Sequence, residues 1–194
     1  MKFTIITPYL PNRPTITRAV SCVDSQTYTN WEHIIQIDSP DKVLTHAITE
    51  DARRKVFRCD KWHEGFTGNW CRANAFDEAT GGWILYLDDD DILYPNALQE
   101  VAAAIERDPA KDWGYFGILR LGEPFFNHPP AVNHITGGQI FHKKYINGEP
   151  IQWAREILYS GDWELIDRCL VKYPALLVDE VLGELPEYHS GQEF

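Results

Sequence analysis

The stretch W-I-L-Y-L-D-D-D-D-I-L-Y-P-N, Trp83 to Asn96, decides how the rest of the chain is read. Its first five residues are apolar without a break, the pattern of a strand buried on both faces of a parallel sheet. Asp88 to Asp91 follow at once. Adjacent carboxylates repel one another unless they are solvated or bound to a cation, and hard oxygen donors suit magnesium or manganese better than zinc. A solvated acidic turn capping the next helix is the alternative. The flanks favour a site: Pro95 falls where a first-turn proline belongs, and Leu98, Val101, Ala102 and Ile105 mark one helix face, ending near Asp108-Pro109.

The same alternation extends upstream. Phe3 to Thr7 is a short β-rich run ended by Pro8, and Ile16, Ala19, Val20 and Val23 recur at the spacing of a helix face. Trp31 to Ile37 supplies a second strand closed by Asp38, and Val56 to Cys59 a third; the Asp41 to Arg54 segment between them has no clear period. Thr67 to Ala79 reads as a helix stopped by Gly81 and Gly82. After Trp113 come shorter strands (Tyr115 to Leu121, Gly138 to Lys143), a helix at Asp162 to Val171 and a strand at Ala175 to Val181. The expected architecture is α/β: an open, mostly parallel central sheet flanked by helices, with a mixed C-terminal part. In such sheets the ligand crevice lies beyond the carboxyl ends of the strands, where Thr7, Pro8, Asp38 and Asp88 to Asp91 fall.

A chain of 194 residues, 44% hydrophobic, is long enough for one full core. Its net charge of -11 repels nucleic acid and anionic lipid, so a phosphate-bearing ligand must meet a local cation or a metal. Cys22, Cys59, Cys71 and Cys169 show no C-x-x-C pair and no secretory segment precedes them, which predicts reduced thiols in a cytoplasmic protein. No stretch reaches the roughly 20 apolar residues of a transmembrane helix.

Several motifs, in order, resemble the family 2 glycosyltransferases of the GT-A fold. Trp83 to Asn96 resembles the family's apolar strand running into D-x-D. C-R-A-N-A-F-D-E-A-T-G-G, Cys71 to Gly82, is similar to its A-R-N-x-G-I-x-x-A-x-G-E stretch, with Ala73 where Asn is usual. Thr4 to Pro8 and I-I-Q-I-D, Ile34 to Asp38, resemble its first two strands, and S-G-D-W-E-L-I-D-R, Ser160 to Arg168, the helix start that carries the catalytic base.

The resemblance implies a metal-dependent, inverting transfer of a sugar from a UDP-sugar to a hydroxyl acceptor such as a growing glycan. It implies one GT-A-like domain over residues 1–194, with a nucleotide-binding half (1–110) and an acceptor and catalytic half (111–194). Asp90 and Asp88 would hold Mn2+ or Mg2+, with His189 of the tail as a further ligand. Asp88 would also face the nucleotide ribose, with Asp89 and Asp91 as helpers. Asp38 would accept a hydrogen bond from the uracil N–H, the Thr7-Pro8 backbone would line the base pocket, and Arg72 would sit by the diphosphate. Asp162 would be the catalytic base, with Glu164 behind it and Gly161 where the family often has Glu. Trp153 and Trp163 are expected near the acceptor. A partner subunit is one way for so short a chain to complete the acceptor site.

The bland alternatives are a turn aspartate for Asp38, a surface ion pair of Arg72 with Asp77 or Glu78, a helix cap for Asp162 and a surface histidine for His189. Among whole-protein alternatives, a sugar nucleotidyltransferase should carry a glycine-rich N-terminal loop, and T-P-Y-L-P-N-R-P has none. An EF-hand needs an oxygen ligand and then glycine where Ile92 and Leu93 stand. A catalytically silent nucleotide-sugar or metal-binding domain of the same fold stays open.

Overall fold

The computed structural model describes residues 1–11, 13–41, 48–61, 68–125, 135–155 and 161–186, with the backbone alone for 161, 162 and 169. The first half runs β1 (Phe3–Tyr9), α1 (Ile16–Asp24), β2 (Trp31–Ile37), β3 (Arg54–Arg58), α2 (Asn69–Glu78), β4 (Trp83–Tyr86), β5 (Ile92–Leu93) and α3 (Ala97–Arg107). The second half runs β6 (Trp113–Arg120), β7 (Glu123–Phe125), a 3-10 turn (Gly137–Gln139), β8 (Ile140–Lys143), β9 (Tyr145–Ile146), β10 (Glu149–Pro150), α4 (Gly161–Leu165), a π-helical turn (Ile166–Leu170) and β11 (Leu176–Leu185).

The main sheet has the order β3-β2-β1-β4-β8-β6-β11-β5, with β7 beside β6. β3, β2, β1 and β4 are parallel throughout, and the uninterrupted apolar run of β4 suits its place inside the sheet. β8 enters antiparallel between β4 and β6, while β6 and β11 form a second parallel pair. This is the expected α/β architecture with a mixed second half. The faces are covered separately. Ala19 and Val23 of α1 and Leu98, Val101 and Ala102 of α3 pack with Phe3, Ile5 and Leu85. Ala73 and Phe76 of α2 and Leu165 of α4 pack with Ile6, Ile34, Ile84 and Tyr86 on the opposite face. No helix among the described residues is long and apolar enough to cross a membrane.

Several boundaries differ from expectation for physical reasons. β3 begins at Arg54 rather than Val56, because the Arg54 guanidinium is buried: it bonds His33 Nδ1 at 3.3 Å and pairs with Asp24. α2 ends at Ala79 in an extended conformation, so Gly81 is not a left-handed stop. Glycine is needed at 81 because a Cβ there would lie 2.8 Å from the Phe3 and Thr4 backbone. Pro95 precedes Asn96, the N-cap of α3, instead of opening the first turn, and its carbonyl accepts the Thr27 N–H at 2.9 Å. The helix expected over 162–171 widens after Leu165, where the Val171 N–H reaches back five residues to the Ile166 carbonyl at 2.7 Å.

Gly114 marks a close approach between β6 and its neighbours. A Cβ there would overlap the Leu176 carbonyl oxygen and the Phe141 ring. Gly114→Ala should therefore cost about 1–3 kcal/mol through overpacking, read as a lower urea midpoint with an unchanged slope.

Candidate active site

The acidic run leaves the carboxyl end of β4, and both of its flanks are pinned. Upstream, the Leu87 N–H bonds the Ile6 carbonyl at 3.0 Å. Downstream, β5 pairs with β11 through Leu93 and Gly183, and the Tyr94 N–H reaches the Leu182 carbonyl at 2.8 Å. Gly183 permits that contact, since a Cβ on it would be 2.6 Å from the Ile92 carbonyl oxygen. A short loop held at both ends fixes where its carboxylates stand.

The four aspartates are not equivalent. Asp89 points into the protein: its side chain is 4% exposed, Oδ2 accepts the Leu10 N–H at 3.0 Å, and Oδ1 meets Arg13 Nη1 at 3.2 Å. Burial pushes its carboxyl up to about 6, against the pull of Arg13. The Asp90 and Asp88 side chains are 34% and 37% exposed. Asp90 Oδ2 lies 3.4 Å from Arg13 Nη1, its carbonyl accepts from Arg18, and burial followed by the Asp88 charge raises its carboxyl above the ordinary range. Asp88 pairs with Arg72. The Asp91 carboxylate faces Gly138, whose added Cβ would sit 3.2 Å from Oδ2.

Arg72 is 4% exposed and stands on the first turn of α2, its guanidinium 4.8 Å from the centre of the Trp153 ring as well as paired with Asp88. Gly68 makes this approach possible: it adopts φ +78°, and a Cβ there would lie 3.0 Å from Arg72 Nη1 and 3.1 Å from Pro8 Cβ. Asp77, the alternative partner on the helix surface, pairs instead with Arg155 at 2.7 Å.

Pro8 thus sits beside Arg72 at the end of β1, while the Thr7 side chain is turned to the opposite face. There its hydroxyl bonds His33 Nε2 at 2.9 Å. Arg54 donates to His33 Nδ1, so Nε2 carries the proton; burial, reinforced by Arg54, holds the imidazole down at about 3 and therefore neutral. Asp38 follows β2 with its N–H on the Tyr9 carbonyl at 3.0 Å, close to the same edge.

Trp153, expected near the acceptor, is 1% exposed, with Tyr86 edge-on at 5.3 Å and Arg72 near its face. It backs the site and offers no open ring. Asp162 has its backbone in α4, and its side chain lies outside the description, as does all of His189. Arg13 and Arg18 were missed by the sequence reading. The signal was present: two arginines in R-P-T-I-T-R directly after the first strand, in a chain with 18 basic against 29 acidic residues.

Partly exposed carboxylates at the carboxyl end of a parallel strand, beside a buried arginine, fit an α/β domain of the GT-A fold. Sequence comparison gives the family. The model of glycosyl transferase family 2 matches residues 4–156, and the chain belongs to that family. The UDP-Glc:alpha-D-GlcNAc-diphosphoundecaprenol beta-1,3-glucosyltransferase WfgD of Escherichia coli is 29% identical over 118 residues, 59% of this chain and 46% of its own length. The chain thus spans less than half of that relative. S. aureus TarS 1-349 in complex with UDP-GlcNAc superposes with a TM-score of 0.79 at 17% identity, over 98% of this chain and 60% of that one. Mannosyltransferase PcManGT from Pyrobaculum calidifontis, in complex with GDP-Man and Mn2+, gives a TM-score of 0.71 at 14% identity, over 97% and 58%. At those identities the likeness concerns the fold.

Proposed function

We propose that this chain catalyses metal-dependent transfer of a sugar from a UDP-sugar to a hydroxyl acceptor, with inversion at the anomeric carbon. The observation that carries the reading is the pinned Asp88–Asp91 loop with the Asp89 carboxylate buried as its anchor and two partly exposed carboxylates, Asp88 beside Arg72 and Asp90 beside Arg13. The family supports sugar transfer, and the ligand named with TarS and the donor named for WfgD support a uridine nucleotide.

Asp88 and Asp90 fit a hard divalent cation: both are carboxylates, both reach solvent, and the loop between them is preordered. Mn2+ or Mg2+ held there would offset the charge that builds on the departing diphosphate. Asp89 shapes the loop from behind through Leu10 and Arg13. Arg72, immobilised by Trp153 and Asp88, offers its planar cation to the diphosphate in a protein whose net charge is otherwise -11. Asp38 accepts the uracil N–H, and the backbone of Thr7 and Pro8 lines the base. Asp162 takes the acceptor proton.

Titration calorimetry with UDP, with and without manganese, tests the donor assignment: binding should require the metal, and heat-silent titrations in both conditions would refute it. Arg72→Met should weaken UDP binding about tenfold, the worth of one charge-assisted hydrogen bond. Unchanged affinity in a folded variant would remove Arg72 from the diphosphate site. A catalytically silent binding domain predicts the same UDP titrations but no transfer to any acceptor.

A further inference from the structure

Outside the acidic loop, one buried cluster combines chemistry that the sugar-transfer reading does not use. Cys59 follows β3, its N–H on the Ile37 carbonyl at 2.9 Å, and Cys71 lies in the first turn of α2. Neither thiol is in a disulfide, both are buried, and Asp38 lies beside them. One carboxylate oxygen and the two sulfurs all fall within 4.8 Å of one another.

We propose that Asp38, Cys59 and Cys71 form a site for a soft divalent cation of the zinc class, separate from the hard-oxygen loop at Asp88–Asp91. The sulfur spacing fits a shared cation. Two thiolates on one tetrahedral zinc, each at about 2.3 Å, stand roughly 3.8 Å apart. Cys59 Sγ and Cys71 Sγ are 3.7 Å apart. A disulfide would need them at about 2.0 Å, so the observed separation matches coordination better than covalent closure.

The surrounding side chains fit one as well. The Gln36 side-chain amide donates to Cys59 Sγ at 3.5 Å, and the Asn74 amide lies 4.0 Å from the same sulfur. Amide donors aimed at a sulfur orient it, which is what outer partners of a metal ligand do. Charge points the same way. Two thiolates and a carboxylate carry three negative charges, and a divalent cation cancels two of them. Two sulfurs and one oxygen leave a fourth position for water, and the sulfurs select against manganese and magnesium.

The site has a consequence that rests on the nucleotide reading. Asp38 is the residue assigned to the uracil N–H. A cation that recruits its carboxylate takes that acceptor away, so zinc-class binding and UDP binding compete. Loading the site also deprotonates two thiols, so it releases protons.

The test is titration of the metal-free protein with Co2+, followed by absorption. One equivalent should produce thiolate-to-cobalt charge-transfer absorption in the near ultraviolet, and Zn2+ should abolish it. Cys59→Ser and Cys71→Ser should each lose the band. Cys22→Ser, away from the cluster, and Asp90→Ala, on the other loop, should keep it. Circular dichroism checks that each variant is folded; should a serine variant unfold, Cys59→Ala and Cys71→Ala replace it. No charge-transfer band in the parent chain, or a band that survives both cysteine substitutions, overturns the site. UDP affinity is then measured with and without one equivalent of Zn2+: a fall of at least tenfold in the parent chain, absent in Cys71→Ser, is the expected result. A cobalt band with unchanged UDP affinity overturns the competition. A cobalt band in a protein that binds no UDP under any condition leaves the metal site standing and refutes the nucleotide reading instead.

Discussion

Asp162→Asn should bind UDP as the parent chain does and lose sugar transfer by roughly 10²–10⁴-fold, the usual worth of a general base. The substitution keeps size and hydrogen-bonding capacity but removes the proton acceptor. Asp162 belongs to α4, and Leu165 of the same short helix packs in one apolar cluster with Trp153 and Tyr86. Trp153 in turn underlies Arg72, which holds Asp88. One continuous set of contacts therefore runs from α4 to the acidic loop. Asp90→Ala should fail differently, losing the metal dependence of UDP binding as well as transfer. A folded Asp162→Asn chain with more than about a tenth of parental transfer would reject the base assignment, because the removal of a general base cannot be that mild. An Asp90→Ala chain that still binds UDP only with manganese would move the metal elsewhere.

The parts of the fold legible in the sequence were those carried by period. The apolar run before Asp88 became β4, and the expected faces of α1 and α3 are the buried ones. Period says nothing about long-range pairing. β5 owes its existence to β11, some ninety residues away, and that pairing is what pins the acidic loop from its far side. The direction of each aspartate was equally hidden, because it is set by Leu10, Arg13 and Arg72 from other elements. Asp89 was expected among the nucleotide contacts and proves to be the most enclosed of the run. Charged residues mislead a hydropathy reading for the same reason: Arg54 and Arg72 are both 4% exposed because Asp24 meets the first, and Asp88 and the Trp153 ring meet the second, from elsewhere in the chain. Cys59 and Cys71 looked like scattered core thiols, and only the meeting of β3 with α2 brings them together beside Asp38.

Stability should decline as the pH falls below 6.5, and Glu32→Gln should remove the lowest part of that decline. Glu32, at the amino edge of the sheet, is 5% exposed. It accepts from Lys2 at 2.8 Å, Thr4 at 2.6 Å, the Thr80 N–H and hydroxyl at 2.6 Å each, and the Gly81 N–H at 3.1 Å. Burial alone would raise its carboxyl, but the bonds from Lys2, Thr4 and Thr80 outweigh burial and bring it down from 4.5 to about 2. A depressed folded value means stabilisation that is complete above 4.5 and lost as the pH falls through about 2. That shift corresponds to about 3 kcal/mol at neutral pH. Two fully buried histidines act in a higher window. Burial, with Arg54 adding to it, lowers His33 from 6.5 to about 3, and burial lowers His142 to about 4. Each therefore costs stability as the pH falls below 6.5, because the unfolded chain takes up a proton that the folded one refuses. Asp89 runs the other way: its value is raised from 3.8 to about 6, so its contribution is complete below 3.8 and lost as the pH rises through 6. Its span is smaller than those of the two histidines together, and the net trend stays downward. Urea midpoints measured across this range should show Glu32→Gln less stable by about 3 kcal/mol at neutral pH, with the gap to the parent chain closing as the pH approaches 2. A gap of constant size would mean that Glu32 stabilises through packing, with its charge irrelevant.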